Sequence, residues 1–129
     1  MPTKDISAFI ADWFARFDRL APLDTFLPNL HPQVDWDMPH VDRSLSGHNR
    51  VRAWYANVVE TFQRPTEHHI SNLSVSATAA SFEVLFRART FDGQLIVARV
   101  QEAWRFDIMP DGSPLITHYS AKMLEEAQP

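Results

Sequence analysis

From Ile96 to Ile108 every second residue faces the same way along an extended chain, and those residues are Ile96, Ala98, Val100, Glu102, Trp104, Phe106 and Ile108. The intervening positions carry Arg99, Gln101, Arg105 and Asp107. Such period-two alternation is the signature of a long strand with one face on a core and one in solvent. Glu102 breaks the pattern from the inside. A carboxylate among large apolar groups must be paired, protonated or placed in a cavity that uses it, because burying it unpaired is costly. A long strand with an acid on its apolar face therefore predicts a curved sheet around a pocket.

The neighbouring segments extend this strand into a sheet. From Thr66 onward the period is two, and strands are predicted over Glu67 to Ala77, Ser81 to Phe91, Gln94 to Ile108 and Leu115 to Leu124. Asp92-Gly93 is a two-residue hairpin signal, and Pro110-Asp111-Gly112-Ser113 reads as a wider turn. The first half is helical instead. Ile6, Phe9, Ile10, Trp13, Phe14, Phe17 and Leu20 recur at three- and four-residue steps, with Thr3 or Asp5 as the cap. Ala21 to Asn29 reads as a short second helix, with Pro22 in its first turn and Pro28 and Pro32 against its continuation. Val34, Trp36 and Met38 alternate with Asp35 and Asp37 in a short strand ended by Pro39. Val51, Trp54, Tyr55, Val58, Val59 and Phe62 mark a third helix between Ser46-Gly47 and Pro65. The expected fold class is α+β, a cone-shaped, strongly curved antiparallel or mixed sheet closed by three N-terminal helices.

Composition narrows the function. The 129 residues are the size of one ordinary domain, and 1–129 is read as a single unit. The formal net charge is -4, which argues against a nucleic-acid footprint. No apolar run approaches the roughly 18 residues of a membrane span, and Met1 to Asp5 does not start like a signal peptide. The absence of Cys excludes a thiolate nucleophile and a cysteine metal cage. A cytoplasmic location is the default expectation. His31, His40 and His48 lie in or near turns without the tight spacing of a metal-binding element, so neither metal nor cofactor is expected. Three Gly in all make a phosphate-cradling loop a poor fit.

The order of elements resembles the nuclear transport factor 2-like superfamily, which includes the SnoaL-like cyclases and the ketosteroid isomerases. Val100-Gln101-Glu102-Ala103-Trp104-Arg105-Phe106-Asp107, Gly112 and the later His118-Tyr119 are similar to that superfamily's last two strands. The resemblance places Glu102 where the isomerases carry an active-site acid and Asp37 where they carry their base. It places Trp13 at their tyrosine donor, and an indole N–H donates a hydrogen bond without transferring a proton. Ser120 stands where the cyclases carry an Asp after a His-aromatic pair. The resemblance further implies a homodimer.

The candidate catalytic residues are Glu102, Asp37 and His69. Glu102 is expected to have a raised pKa and to donate a hydrogen bond when neutral, the behaviour known for an acid in the isomerases. An ion pair with Arg16 or a strand arginine is the structural alternative. Strict alternation sends Asp37 away from Trp36, so it reaches the cavity only through a bulge before Pro39. His68 and His69 must face opposite ways, and His69 shares parity with Ser71, Leu73 and Val75, so it is expected to point inward as a base. Trp13, Phe17, Trp36 and Trp104 are candidates for stacking on a ligand, with His118 a lesser contact on the less apolar face of its strand. The function expected from these residues is cofactor-independent isomerisation, cyclisation or dehydration of a small hydrophobic molecule. The alternative is a non-catalytic binding or dimerisation domain of the same fold.

Overall fold

The computed structural model describes residues 5–38 and 44–126. Thr3, Pro39 and His40, each given a part above, lie outside them. Helix α1 spans Ile6–Asp18, and Asp5 caps it by accepting from the backbone N–H of Ser7 at 2.9 Å. It buries Ile6, Ile10, Trp13, Phe14 and Phe17 and stops where Leu20 turns to a φ of 48°. The short second helix is two successive 3-10 turns, Leu23–Thr25 and Leu27–Asn29. Arg16 ties both to α1. Its guanidinium donates to the Thr25 carbonyl and, at 2.9 Å, to Asn29 Oδ1, and pairs with Asp12 at 3.0 Å.

Strand β1, Leu30–Asp37, buries Val34 and Trp36 and exposes Asp35 and Asp37, as alternation requires. Helix α2, Gly47–Thr61, lies along it. Gly47 opens the helix at a φ of 55°, and a Cβ there would collide with the Pro32 carbonyl oxygen. Arg50 Nε donates to the Trp36 carbonyl at 2.7 Å, and a ring nitrogen of His48 meets the Leu30 carbonyl at 3.0 Å. These contacts cover the open edge of β1, which otherwise presents unpaired backbone groups.

Four long strands follow, β2 (Glu67–Val75), β3 (Ala79–Arg89), β4 (Leu95–Ile108) and β5 (Pro114–Glu126). The sheet order is β1-β5-β4-β3-β2, antiparallel except that β1 runs parallel to β5. The β3–β4 hairpin closes through Thr90 N–H to Gln94 O at 2.9 Å, with Gly93 at a φ of 89°. The three central strands carry one buried face. Phe82, Glu102 and Ala121 stand level across it, and so do Ala80, Trp104 and Tyr119. Helix α1 packs its aromatic stripe on this face, leaving the cone open towards the end of α2.

Register shifts override simple parity in β5 and β2. Between Arg105 and Phe106 the pairing of β4 with β5 shifts, so Ile116 is buried before the bulge and Tyr119 and Ala121 after it. Leu115 and Thr117, which strict alternation would put on the face of Tyr119, are only half-buried because of that extra residue. In β2 the register shifts between Ser71 and Ser74, with Asn72 at a φ of 53°. No helix among the described residues is long and apolar enough to cross a membrane.

Candidate active site

The inner face of the sheet and the end of α2 enclose a cavity of about 350 Å³. Val84, Val100, Glu102, Tyr119 and Ala121 form its sheet wall; Phe17, Trp54, Val58 and Phe62 face them from the helical side. Asn57, Thr61 and His68 supply the remaining polar groups. The lining is otherwise apolar, so each polar group marks a place where a ligand atom can be recognised.

Glu102 is 4% exposed. The Trp104 indole N–H donates to its Oε1 at 3.1 Å, and Tyr119, level with Trp104 on β5, lines the same wall. Burial raises its pKa to about 7, with Tyr119 and Trp104 pulling the other way. The ion-pair alternative does not hold among the described residues. Arg16 is spent on Asp12 and the 3-10 turns, and Arg99 reaches Glu83 at 3.5 Å on the far face. Near neutral pH the group is thus divided between an acid that donates and a carboxylate that accepts.

Of the paired histidines, His68 faces in and His69 faces out. The His69 side chain is 61% exposed and lies 3.5 Å from Glu67 on the outer face. Its apolar parity partners misled, because Ser71, Leu73 and Val75 are themselves exposed where β2 runs past the core. His68, with a side chain 6% exposed, stacks on Phe14 at 4.7 Å and meets Phe17 and Phe86 edge-on or tilted. Its Nδ1 lies 2.5 Å from Asp18 Oδ1, and Thr66 Oγ1 donates to the same oxygen at 2.9 Å. Burial lowers the His68 pKa, while the Asp18 hydrogen bond raises it. With a carboxylate at Nδ1, the neutral ring carries its hydrogen there, which leaves the lone pair on Nε2.

The remaining candidates divide by face. Asp37 is exposed, takes a 3.5 Å hydrogen bond from Ser120 Oγ, and lines an outer groove together with Asp35. It does not join Glu102; alternation holds through the end of β1. His118 is likewise outside, 3.9 Å from Asp35. Phe17 lines the cavity, whereas Trp13, Trp36 and Trp104 pack behind its wall. Helical and strand spacing commits these indoles to the core, where they hold Tyr119 and Glu102 instead of a ligand. Tyr119, Asp18 and Asn57 are not among the candidates read from the sequence, and His68 takes the inward place expected of His69. Asp18 carried one readable sign, since an acid in the last turn of a helix opposes the helix dipole and needs a partner elsewhere.

No protein-family model and no curated protein sequence matches this chain. Solved structures do. A nuclear transport factor 2-like protein from Anabaena variabilis aligns over 97% of this chain and 94% of its own with a TM-score of 0.71, at 18% identity. The chain has the nuclear transport factor 2-like fold. A ketosteroid isomerase-like protein from Erwinia carotovora atroseptica shares it, with a TM-score of 0.71, 17% identity and coverage of 93% and 94%. So does a proposed aromatic ring hydroxylase from Novosphingobium aromaticivorans, with a TM-score of 0.75, 17% identity and coverage of 93% and 87%. At these identities the likeness is one of fold, and chemistry within the nuclear transport factor 2-like cone has to come from its own side chains.

Proposed function

We propose that the protein binds a small, mainly apolar molecule bearing a carbonyl or hydroxyl group and moves a proton on it, in an isomerisation, cyclisation or dehydration that uses no added cofactor. The observation that carries this reading is the buried Glu102, held by the Trp104 indole N–H and facing an apolar cavity, with no cation among its partners in the described residues. A neutral carboxyl so placed stabilises negative charge developing on a ligand oxygen, and one preorganised donor of this kind contributes about 3 to 4 kcal/mol to a barrier. His68 is the base. Asp18 orients its ring and stabilises the imidazolium that forms when Nε2 takes a proton.

The two groups work from different places on the wall. His68 is level with Ala98 on β4, four residues from Glu102 and two strands away. Strand dimensions make that roughly 16 Å between backbones, shortened by the side chains and the curvature. Phe14 of α1 supports both parts of the wall, with ring centroids 4.7 Å from His68 and 5.8 Å from Trp104. The gap suits a ligand with its oxygen at Glu102 and its labile hydrogen at His68.

The test is a thermal-shift screen with steroid-like and polyketide-like ketones and phenols, followed by turnover assays on the compounds that bind. Ligands of the folded state raise its melting temperature. The wild type should be stabilised, Glu102→Ala should lose turnover while remaining folded, and His68→Asn should lose turnover while retaining binding. Turnover near wild type in either variant would sink the catalytic reading. Binding without turnover in the wild type would favour a non-catalytic carrier, a reading to which the outward-facing Asp37 lends weight.

A further inference from the structure

We infer that Asn57 and Thr61, one turn apart on α2 at the mouth of the cavity, form a second recognition point, and that the ligand is a neutral molecule carrying a hydroxyl group at its end away from Glu102. The inference deepens the acid–base reading of the cavity given above and rests on it.

The helical wall follows from spacing. Trp54, Asn57, Val58, Thr61 and Phe62 line the cavity, and they stand at i, i+3, i+4, i+7 and i+8, the single stripe that a helix turns towards a core. Apolar residues belong at all five positions. Asn57 and Thr61 break this stripe as Glu102 breaks the face of β4. Within a helix Asn is also a weaker former than Ala or Leu, so the helix itself gives no reason for Asn57.

The hydrogen-bonding capacity of the pair is specific. Thr61 Oγ1 donates its hydrogen to the Asn57 backbone carbonyl at 2.6 Å. What the hydroxyl keeps for a ligand is its lone pairs, so it accepts. The Asn57 side-chain amide has no hydrogen-bond partner among the described residues, and its N–H groups can donate. Positions four apart on a helix have Cβ atoms roughly 5 to 6 Å apart, so one oxygen set between the two side chains reaches both. A ligand hydroxyl satisfies both by accepting from Asn57 and donating to Thr61. A carbonyl answers only Asn57. A carboxylate or phosphate has no hydrogen for Thr61, and no Lys or Arg lines the cavity among the described residues to meet its charge.

Exposure sets the direction of entry. Asn57 is exposed and Thr61 half-buried, whereas Glu102 is buried in the sheet wall. The ligand therefore enters with one oxygen leading to Glu102 and leaves its hydroxyl at the mouth. A molecule without that hydroxyl displaces water from the Asn57 amide and returns no hydrogen bond, which discriminates against it.

Calorimetric titration with 2-naphthol, which has one oxygen, and with 2,6- and 2,7-dihydroxynaphthalene, which have a second at the far end, tests this. The wild type should bind one of the diols about tenfold more tightly than 2-naphthol. Asn57→Ala and Thr61→Val should each reduce that preference and leave 2-naphthol within about twofold of its wild-type affinity. Glu102→Ala should weaken all three probes alike. Equal wild-type affinity for naphthol and diols, or a preference untouched in both α2 variants, overturns the inference. So does tighter binding of 6-hydroxy-2-naphthoic acid than of the diols. If Glu102→Ala changes nothing while Asn57→Ala removes the preference, Glu102 is not the oxygen anchor and the hydroxyl site stands. No binding of any probe to the wild type overturns the cavity reading and the hydroxyl site together.

Discussion

Trp104 donates its indole N–H to Glu102 Oε1 at 3.1 Å from two residues along the same strand. Period-two geometry puts the two side chains next to each other on the inner face of β4, and the pairing of Trp104 with Tyr119 sets a tyrosine of β5 beside them. The acid is thus held by its own strand, with no charged partner among the described residues.

Removing that donor should raise the Glu102 midpoint. In Trp104→Phe the carboxylate loses a hydrogen bond that favours its charged form, so the midpoint is expected to climb above about 7. The carboxylate state should lose roughly 1 to 3 kcal/mol. Carboxyl ¹³C shifts across a pH titration read this directly. An unchanged or lower midpoint would show that the bond does not act on the acid.

Glu102 should also make stability fall as pH rises. Its folded pKa, about 7, is above the ordinary 4.5, so its contribution is complete below pH 4.5 and is lost as pH climbs through about 7. The difference corresponds to roughly 3 kcal/mol. Glu102→Gln lacks this dependence. In urea unfolding the variant should therefore gain on the wild type by about that amount between mildly acidic and mildly alkaline pH. Parallel pH profiles for the two proteins would count against a buried, uncompensated acid.

The His68 midpoint should move down in Asp18→Asn. Burial already depresses it, and the Asp18 bond is the main influence holding it up. A depressed histidine contributes stability above its unfolded pKa and loses it as pH falls through the folded one, so the variant should shift the acid limb of its stability profile. Imidazole ¹⁵N spectra would follow both the midpoint and the Nδ1–H tautomer. An upward shift would contradict the assigned hydrogen bond.

Gly47→Ala should cost about 2 kcal/mol or more. A left-handed backbone is strained for alanine, and the added Cβ meets the Pro32 carbonyl oxygen and lies 3.3 Å from Gln33 Cα. The damage falls on the junction of β1 with α2. Thermal melts suffice to test it, and a melting temperature equal to that of wild type would mean the two segments separate easily.

The sequence by itself determined the elements and the acid. Helical spacing from Ile6 to Phe17, alternation from Ile96 to Ile108 and the Asp92-Gly93 turn are local patterns, and backbone geometry converts them into structure without knowledge of partners. The inward Glu102 was legible for the same reason, because β4 runs without a bulge on the side facing β3. Only the tertiary structure decided which groups meet that acid. A register shift near Asn72 and the exposed end of β2 separated the parity of Leu73 and Val75 from the core, so His68, not His69, turns inward. Asp18 reaches His68 from 50 residues away, and Tyr119 comes level with Trp104 through a strand pairing. Such contacts depend on sheet register and on the packing of α1 across it, and a strand's own alternation carries no information about either.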